Sequence, residues 1–119
     1  MRYLASVYSY NAKSNSGKDR ALREKRYQYA MKRTAELMMD GEFIFSPITH
    51  CHPMSNRYGL PKEYGYWQFN DRNFIEASEG VIVLMMPNWE NSSGVTDEIA
   101  YAKFLGKPVT FLECPDYEE

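Results

Sequence analysis

The sequence has little cysteine, no long apolar run and no excess of positive charge. Its two cysteines, Cys51 and Cys114, are too few for a disulfide framework, so we expect free thiols in a reducing compartment. The longest apolar run, residues 81–87, is too short to cross a bilayer. Residues 1–8 lack the apolar stretch of a signal peptide. These absences predict a cytoplasmic protein with no membrane partner.

The charge balance argues against nucleic acid as a partner. Fourteen Lys and Arg residues oppose sixteen Asp and Glu residues, for a net charge of −2, whereas binding to a phosphate backbone needs a basic excess. The 119 residues fit one domain, spanning 1–119. The core of such a domain is modest, so association into an oligomer would help to stabilise it.

Predicted strands and helices alternate along the chain. Strands are indicated at 3–8, 42–46, 80–86 and 109–112, helices at 19–39, 67–78 and 95–105, and an irregular connection at 48–66. This alternation predicts a parallel α/β sheet of four to five strands in the order 2-1-3-4(-5), with right-handed crossovers. The expected architecture is a short flavodoxin-like or Rossmann-like three-layer sandwich.

In this strand order the topological switch lies between the first and third strands. Ligands bind there, beyond the carboxyl ends of the strands. We therefore expect a crevice formed by residues that follow the strands, with Tyr8 at the end of the first. The candidate substrate-binding residues are Ser6, Ser9, Pro47, Trp67, Asn88, Trp89, Ser92, Ser93 and Gly94.

The segment that follows the third strand carries the strongest local signal. Ser92, Ser93 and Gly94 precede a predicted helix, whose free N–H groups can bind an anion or a sugar hydroxyl. Glu98 lies one turn into that helix, and its carboxylate can point back toward the crevice. The alternative is that Ser92 or Ser93 is an ordinary N-cap and that Glu98 favours the helix dipole.

Two other groups of residues admit competing interpretations. In the basic run at 13–33, Lys18, Arg20 and Arg23 could hold a 5′-phosphate, or the run could be a solvated helix face. The tripeptide at 50–52, His-Cys-His, has no matching ligand pair elsewhere in the sequence. Adjacent ligands give poor tetrahedral geometry, so we expect no metal there.

Four segments in order resemble the nucleoside 2-deoxyribosyltransferase superfamily, in particular its small, often phage-encoded relatives. They are Tyr3-Leu4-Ala5-Ser6-x-Tyr8, Gly41-x-x-x-Phe45-Ser46-Pro47-Ile48, Trp67-x-x-x-Asp71, and Ser93-Gly94-Val95-x-x-Glu98-Ile99-x-x-Ala102 followed by Gly106-Lys107-Pro108-Val109. The resemblance spans nearly the whole chain, although no single segment is specific.

The resemblance implies N-glycosidic bond chemistry on nucleosides or their monophosphates, without a cofactor. It also implies a homo-oligomer, a dimer or higher, because in that family a neighbouring subunit often completes the active site. Glu98 would be the nucleophile that forms a glycosyl-enzyme ester. Asp71 would handle the nucleobase or its proton, and the Tyr8 hydroxyl would contact the nucleophile. A fixed carboxylate below the sugar would stabilise an oxocarbenium-like transition state. The alternatives are a deoxynucleoside 5′-monophosphate N-glycohydrolase and a non-catalytic nucleotide-binding module on the same fold.

Overall fold

The computed structural model describes residues 1–9, 16–61 and 64–119. Four strands and four helices follow one another along the described chain, with a short 3-10 turn at Trp89–Asn91. The strands are β1 (Arg2–Ala5), β2 (Ile44–Phe45), β3 (Val81–Met85) and β4 (Val109–Glu113). The helices are α1 (Gly17–Met39), α2 (Pro47–Tyr58), α3 (Tyr64–Ala77) and α4 (Ser93–Phe104).

The strands form a single parallel sheet in the order β2-β1-β3-β4, which confirms the predicted α/β fold and strand order. Leu4 of β1 pairs with Ile82 of β3 across the topological switch. Within the sheet, β2 lies on one side of β1, and β3 and β4 lie on the other side. Right-handed crossovers therefore place α1 on one face of the sheet and α3 and α4 on the other.

The most apolar segment of the sequence lies at the centre of the sheet. The side chains of Val81, Val83 and Leu84 have no exposed surface, as expected for a strand with a covered surface on both faces. Within residues 1–9, 16–61 and 64–119, no helix combines the length and the apolar character that a membrane crossing requires.

The prediction of an irregular connection at 48–66 was wrong, because α2 occupies most of it. Strand β2 ends at Phe45, and Pro47, which we expected to stop this strand, is the first residue of α2, where its missing N–H costs no hydrogen bond. The Ser46 side chain caps this helix by accepting from the Thr49 N–H at 3.3 Å. Gly59, at φ 69°, ends α2 in the left-handed conformation that glycine adopts without strain.

The basic run on α1 holds the C-terminal segment rather than facing only solvent. Arg26 is nearly fully buried, and its guanidinium contacts the Glu119 carboxylate at 2.7 Å and 3.3 Å. Lys32 and Tyr29 both donate to the Asp116 carboxylate, each at 2.6 Å. Two cations of the basic run, Arg26 and Lys32, are thereby paired with carboxylates of the C-terminal segment.

Candidate active site

A cavity of about 260 Å³ opens at the carboxyl ends of the first three strands. This is the edge of the sheet at which the strand order reverses. Helices α2, α3 and α4 supply most of its walls. Its lining residues are Ser6, Tyr8, Ser9, Pro47, Ile48, Cys51, His52, Ser55, Trp67, Asp71, Asn91, Ser92, Ser93, Gly94, Val95 and Glu98.

Glu98 reaches the cavity from the buried face of α4. Val95, Glu98 and Ala102 are the buried residues of that helix, at the three- and four-residue spacing of one face. Burial raises the pKa of the Glu98 carboxyl well above its usual value. The Tyr3 hydroxyl donates a hydrogen bond to Glu98 Oε2, which favours the ionised form and partly offsets that effect.

Asp71 enters the same cavity from α3. It lies four residues after Trp67 and four before the fully buried Ile75, so helix periodicity places it on the inward face. Burial raises the pKa of Asp71 from 3.8 to about 7, and the neighbouring Tyr3 hydroxyl opposes the rise. The Asp71 charge also raises the pKa of Glu98. The Tyr3 hydroxyl therefore links two carboxyls that titrate as a pair.

Three buried polar atoms of the cavity wall have no hydrogen-bond partner within the described part of the chain. They are Ser6 Oγ, Ser9 Oγ and Asp71 Oδ1. Buried polar groups in folded proteins are nearly always hydrogen-bonded, since an unpaired group costs about 1–3 kcal/mol. Two hydroxyls and one carboxyl oxygen are thus available to a polar ligand.

The first turn of α4 and the side chain of Trp67 complete the walls. The Ser92 side chain caps α4 by accepting from the Val95 N–H at 3.2 Å, so the predicted N-cap is present. Ser93 and Gly94 also line the cavity, at the positive end of the helix dipole. Trp67 is fixed by its indole N–H, which donates to the Pro61 carbonyl at 2.6 Å.

The tyrosine that contacts Glu98 is Tyr3, and the prediction that Tyr8 fills this role was wrong. Tyr3 lies within β1, with its side chain on the sheet face covered by α4. Tyr8 lies beyond the end of β1, where the chain has left the sheet and turned toward α2. Its hydroxyl is 2.6 Å from His52 Nδ1.

Five predicted site residues do not line the cavity. Asn88 is exposed, and the Trp89 ring packs against Phe111 at 5.4 Å between centroids. Of the proposed phosphate ligands, Lys18 and Arg20 are exposed at the start of α1, whereas Arg23 is 1% exposed. The structure therefore does not bring the three cations to the cavity wall.

Residues of α2 form a wall that the sequence did not predict. Four residues of this helix besides Pro47 line the cavity, because α2 replaces the expected irregular connection: Ile48, Cys51, His52 and Ser55. Asn91 and Val95 were also missed. The side chains at 50–52 diverge: His50 packs against Phe45, whereas His52 stacks on Tyr27 at 4.4 Å. The helical periodicity of Ile48, Cys51, His52 and Ser55 was the signal that could have revealed this wall.

One family profile matches residues 1–114, nearly the whole chain; its description is a domain of unknown function, DUF1937. The chain belongs to the DUF1937 family. No curated protein matches the sequence. The part of this DUF1937 domain that is matched contains both cavity carboxyls and the tyrosine that links them, but it ends before Asp116 and Glu119.

Proposed function

We propose that this protein cleaves the N-glycosidic bond of nucleosides or their monophosphates through a covalent intermediate on Glu98. The observation that carries the proposal is the placement of Glu98 and Asp71. Both are buried carboxyls, both line one small cavity, and both interact with the Tyr3 hydroxyl. The resemblance of the sequence to nucleoside 2-deoxyribosyltransferases supports the same chemistry.

In the first step a Glu98 oxygen attacks the anomeric carbon. The carbon–nitrogen bond breaks, and the nucleobase leaves with the bonding electron pair. Asp71 donates a proton to a ring nitrogen of the leaving base, so that the base departs neutral. The product of this step is a glycosyl ester on Glu98, which a second base or water then releases.

The productive form of the pair carries its proton on Asp71 and its charge on Glu98. Because burial raises the pKa values of both Asp71 and Glu98, the two carboxyls favour a state near neutral pH in which they share one proton. The Tyr3 hydroxyl donates to Glu98 Oε2 and so favours the charge on that side. A positive oxocarbenium-like centre next to Glu98 further stabilises its ionised form as the reaction proceeds.

The remaining cavity groups suit a sugar and a planar base. Ser6 and Ser9 offer hydroxyls without a partner in the described chain, which can pair with sugar hydroxyls. Trp67 offers an aromatic face for stacking on a nucleobase, a contact worth about 1–3 kcal/mol. The first turn of α4 presents N–H groups to an oxygen of the sugar or of a 5′-phosphate.

The test is incubation of the protein with the four 2′-deoxynucleosides, their 5′-monophosphates and free bases. Chromatography then detects released or exchanged base. Wild-type turnover that falls at least a thousandfold in Glu98→Gln, but not in Glu79→Gln, is expected; Glu79 is an exposed control. Turnover that survives Glu98→Gln would refute the assignment. A ligand-induced rise in melting temperature without turnover would instead favour a nucleotide-binding module.

A further inference from the structure

A chain of hydrogen-bonded side chains runs from the cavity to the protein surface on the side of α1 and α2. Tyr8 lines the cavity, and its hydroxyl lies 2.6 Å from His52 Nδ1. His52 Nε2 lies 3.0 Å from Glu24 Oε1. The His52 side chain is 3% exposed, whereas that of Glu24 is 47% exposed. The three groups therefore connect a buried space to bulk solvent.

The partners of His52 fix which nitrogen carries its proton. Glu24 can only accept, since hydrogen bonds from Gln28 and His52 lower the pKa of its carboxyl and keep it ionised. Neutral His52 thus donates from Nε2 to Glu24, and Nδ1 accepts from the Tyr8 hydroxyl. This leaves the lone pairs of the Tyr8 oxygen available on the cavity side.

The other groups around His52 hold the ring without competing for its Nδ1. Tyr27 of α1 stacks on the imidazole at 4.4 Å, and the Asn56 amide lies 3.4 Å from Nε2. Cys51 is the neighbouring residue on α2, and burial raises the pKa of its thiol to about 11, so it stays protonated. Arg23 of α1 acts on Tyr8, where its charge partly offsets the effect of burial.

We propose that Tyr8, His52 and Glu24 form a proton relay that activates water for hydrolysis of the glycosyl-enzyme. The water oxygen attacks the anomeric carbon, and the bond from that carbon to the Glu98 oxygen breaks, which regenerates the carboxylate. The water gives one proton to the Tyr8 oxygen, and the Tyr8 hydroxyl proton passes to His52 Nδ1. The resulting imidazolium is stabilised by the ionised Glu24. After the sugar leaves, the imidazolium returns its Nδ1 proton through Tyr8 to water in the cavity, which restores the neutral ring with its proton on Nε2.

The relay rests on the proposed function and assigns the proton of the attacking water to a group other than Asp71. Asp71 protonates a ring nitrogen of the nucleobase, which lies several bonds from the anomeric carbon. The attacking water arrives at the anomeric carbon itself, and Tyr8 lines the same cavity with its hydroxyl bound to His52 of α2. Because the relay activates water, water rather than a second base accepts the sugar. The protein is then a hydrolase rather than a transferase.

Rapid-quench kinetics with the best substrate of the nucleoside and monophosphate panel tests the relay. The informative variant is His52→Asn, because its side-chain oxygen can replace Nδ1 as the acceptor for Tyr8 but cannot take up a proton. We expect a normal first burst of released base and at least a hundredfold slower release of free sugar. The glycosyl ester on Glu98 should accumulate and be visible by intact mass.

Glu24→Gln should slow sugar release in the same step, whereas Glu36→Gln should not. Glu36 is the matched control, since it also lies on α1 with 48% of its side chain exposed. If the wild-type protein turns over substrate and His52→Asn releases sugar at the same rate, the relay is refuted and the proposed function stays intact. Absence of wild-type turnover with every probe would refute both the proposed function and this role in hydrolysis.

The tautomer of His52 provides a readout that does not depend on turnover. His50 is the only other histidine in the sequence and is exposed, so a His50→Gln variant assigns the two imidazoles. Nitrogen NMR of the histidine-labelled protein should show His52 with a bare Nδ1 and a protonated Nε2. A protonated Nδ1 in the neutral ring would overturn the direction of the relay.

Discussion

Replacing Asp71 by asparagine should stabilise the protein while it removes the proposed acid. Burial raises the pKa of Asp71 from 3.8 to about 7. Since one pKa unit corresponds to about 1.36 kcal/mol, ionising this carboxyl at pH 8 costs about 4 kcal/mol more in the folded protein than in the unfolded chain. Asparagine carries no charge, so we expect Asp71→Asn to raise the free energy of unfolding by about 2–4 kcal/mol at pH 8.

The pH dependence of this gain follows from the two protonation equilibria. The unfolded chain releases the Asp71 proton near pH 4 and the folded protein releases it near pH 7. Between these values the folded state binds the extra proton, so its stability falls as the pH rises. The gain in unfolding free energy of Asp71→Asn over the wild type should therefore be fully present above about pH 7 and vanish near pH 4.

Urea unfolding at pH 4, 6 and 8 measures this difference directly. Asp40→Asn serves as the control, because Asp40 is an exposed residue at the end of α1 and its substitution should give no such pH-dependent gain. Equal stabilities of Asp71→Asn and wild type at pH 8 would refute the reasoning. A gain in unfolding free energy that is largest at pH 4 would also refute it, since that would indicate that folding lowers the pKa of Asp71 rather than raises it.

Three further substitutions test the linking tyrosine and the frame that holds the site. Tyr3→Phe removes the hydrogen bond that Tyr3 donates to Glu98 and that lowers the pKa of this carboxyl; carboxyl NMR should show the pKa of Glu98 rise further, and an unchanged value would contradict the contact. Gly80→Ala places a Cβ 2.8 Å from the Pro108 carbonyl oxygen, so thermal unfolding should show a loss of about 1–3 kcal/mol rather than none. Ser92→Ala removes the cap of α4 and should cost about 1 kcal/mol in urea unfolding, with an unchanged midpoint counting against the cap.

The sheet could be predicted from the sequence because its signals are local. The apolar segment at β3 has no polar alternation, and glycine or proline follows most of the predicted elements. Such patterns, together with the handedness of crossovers, leave few possible topologies. Helix α2 is harder to recognise in the same way, because its two prolines and the glycine that follows it resemble a loop and obscure the periodicity of its buried face.

The site was only partly predictable because its contacts join distant parts of the chain. Glu98 has a sequence signal, as a charged residue between the small apolar residues Val95 and Ala102 on one helix face. The hydroxyl that holds it comes from Tyr3, which is 95 residues away. His52 and Glu24 are 28 residues apart and meet only because α2 packs against α1. No spacing rule within a single helix or strand can supply such pairs.

Mass analysis of the acid-quenched reaction is the most direct test of the central role of Glu98. His52→Asn should be mixed with the best nucleoside or monophosphate substrate, quenched during turnover, and digested. The peptide that contains Glu98 should carry one added sugar, and the double variant with Glu98→Gln should carry none. Release of free base with no sugar on that peptide at any time point would contradict a covalent intermediate at Glu98.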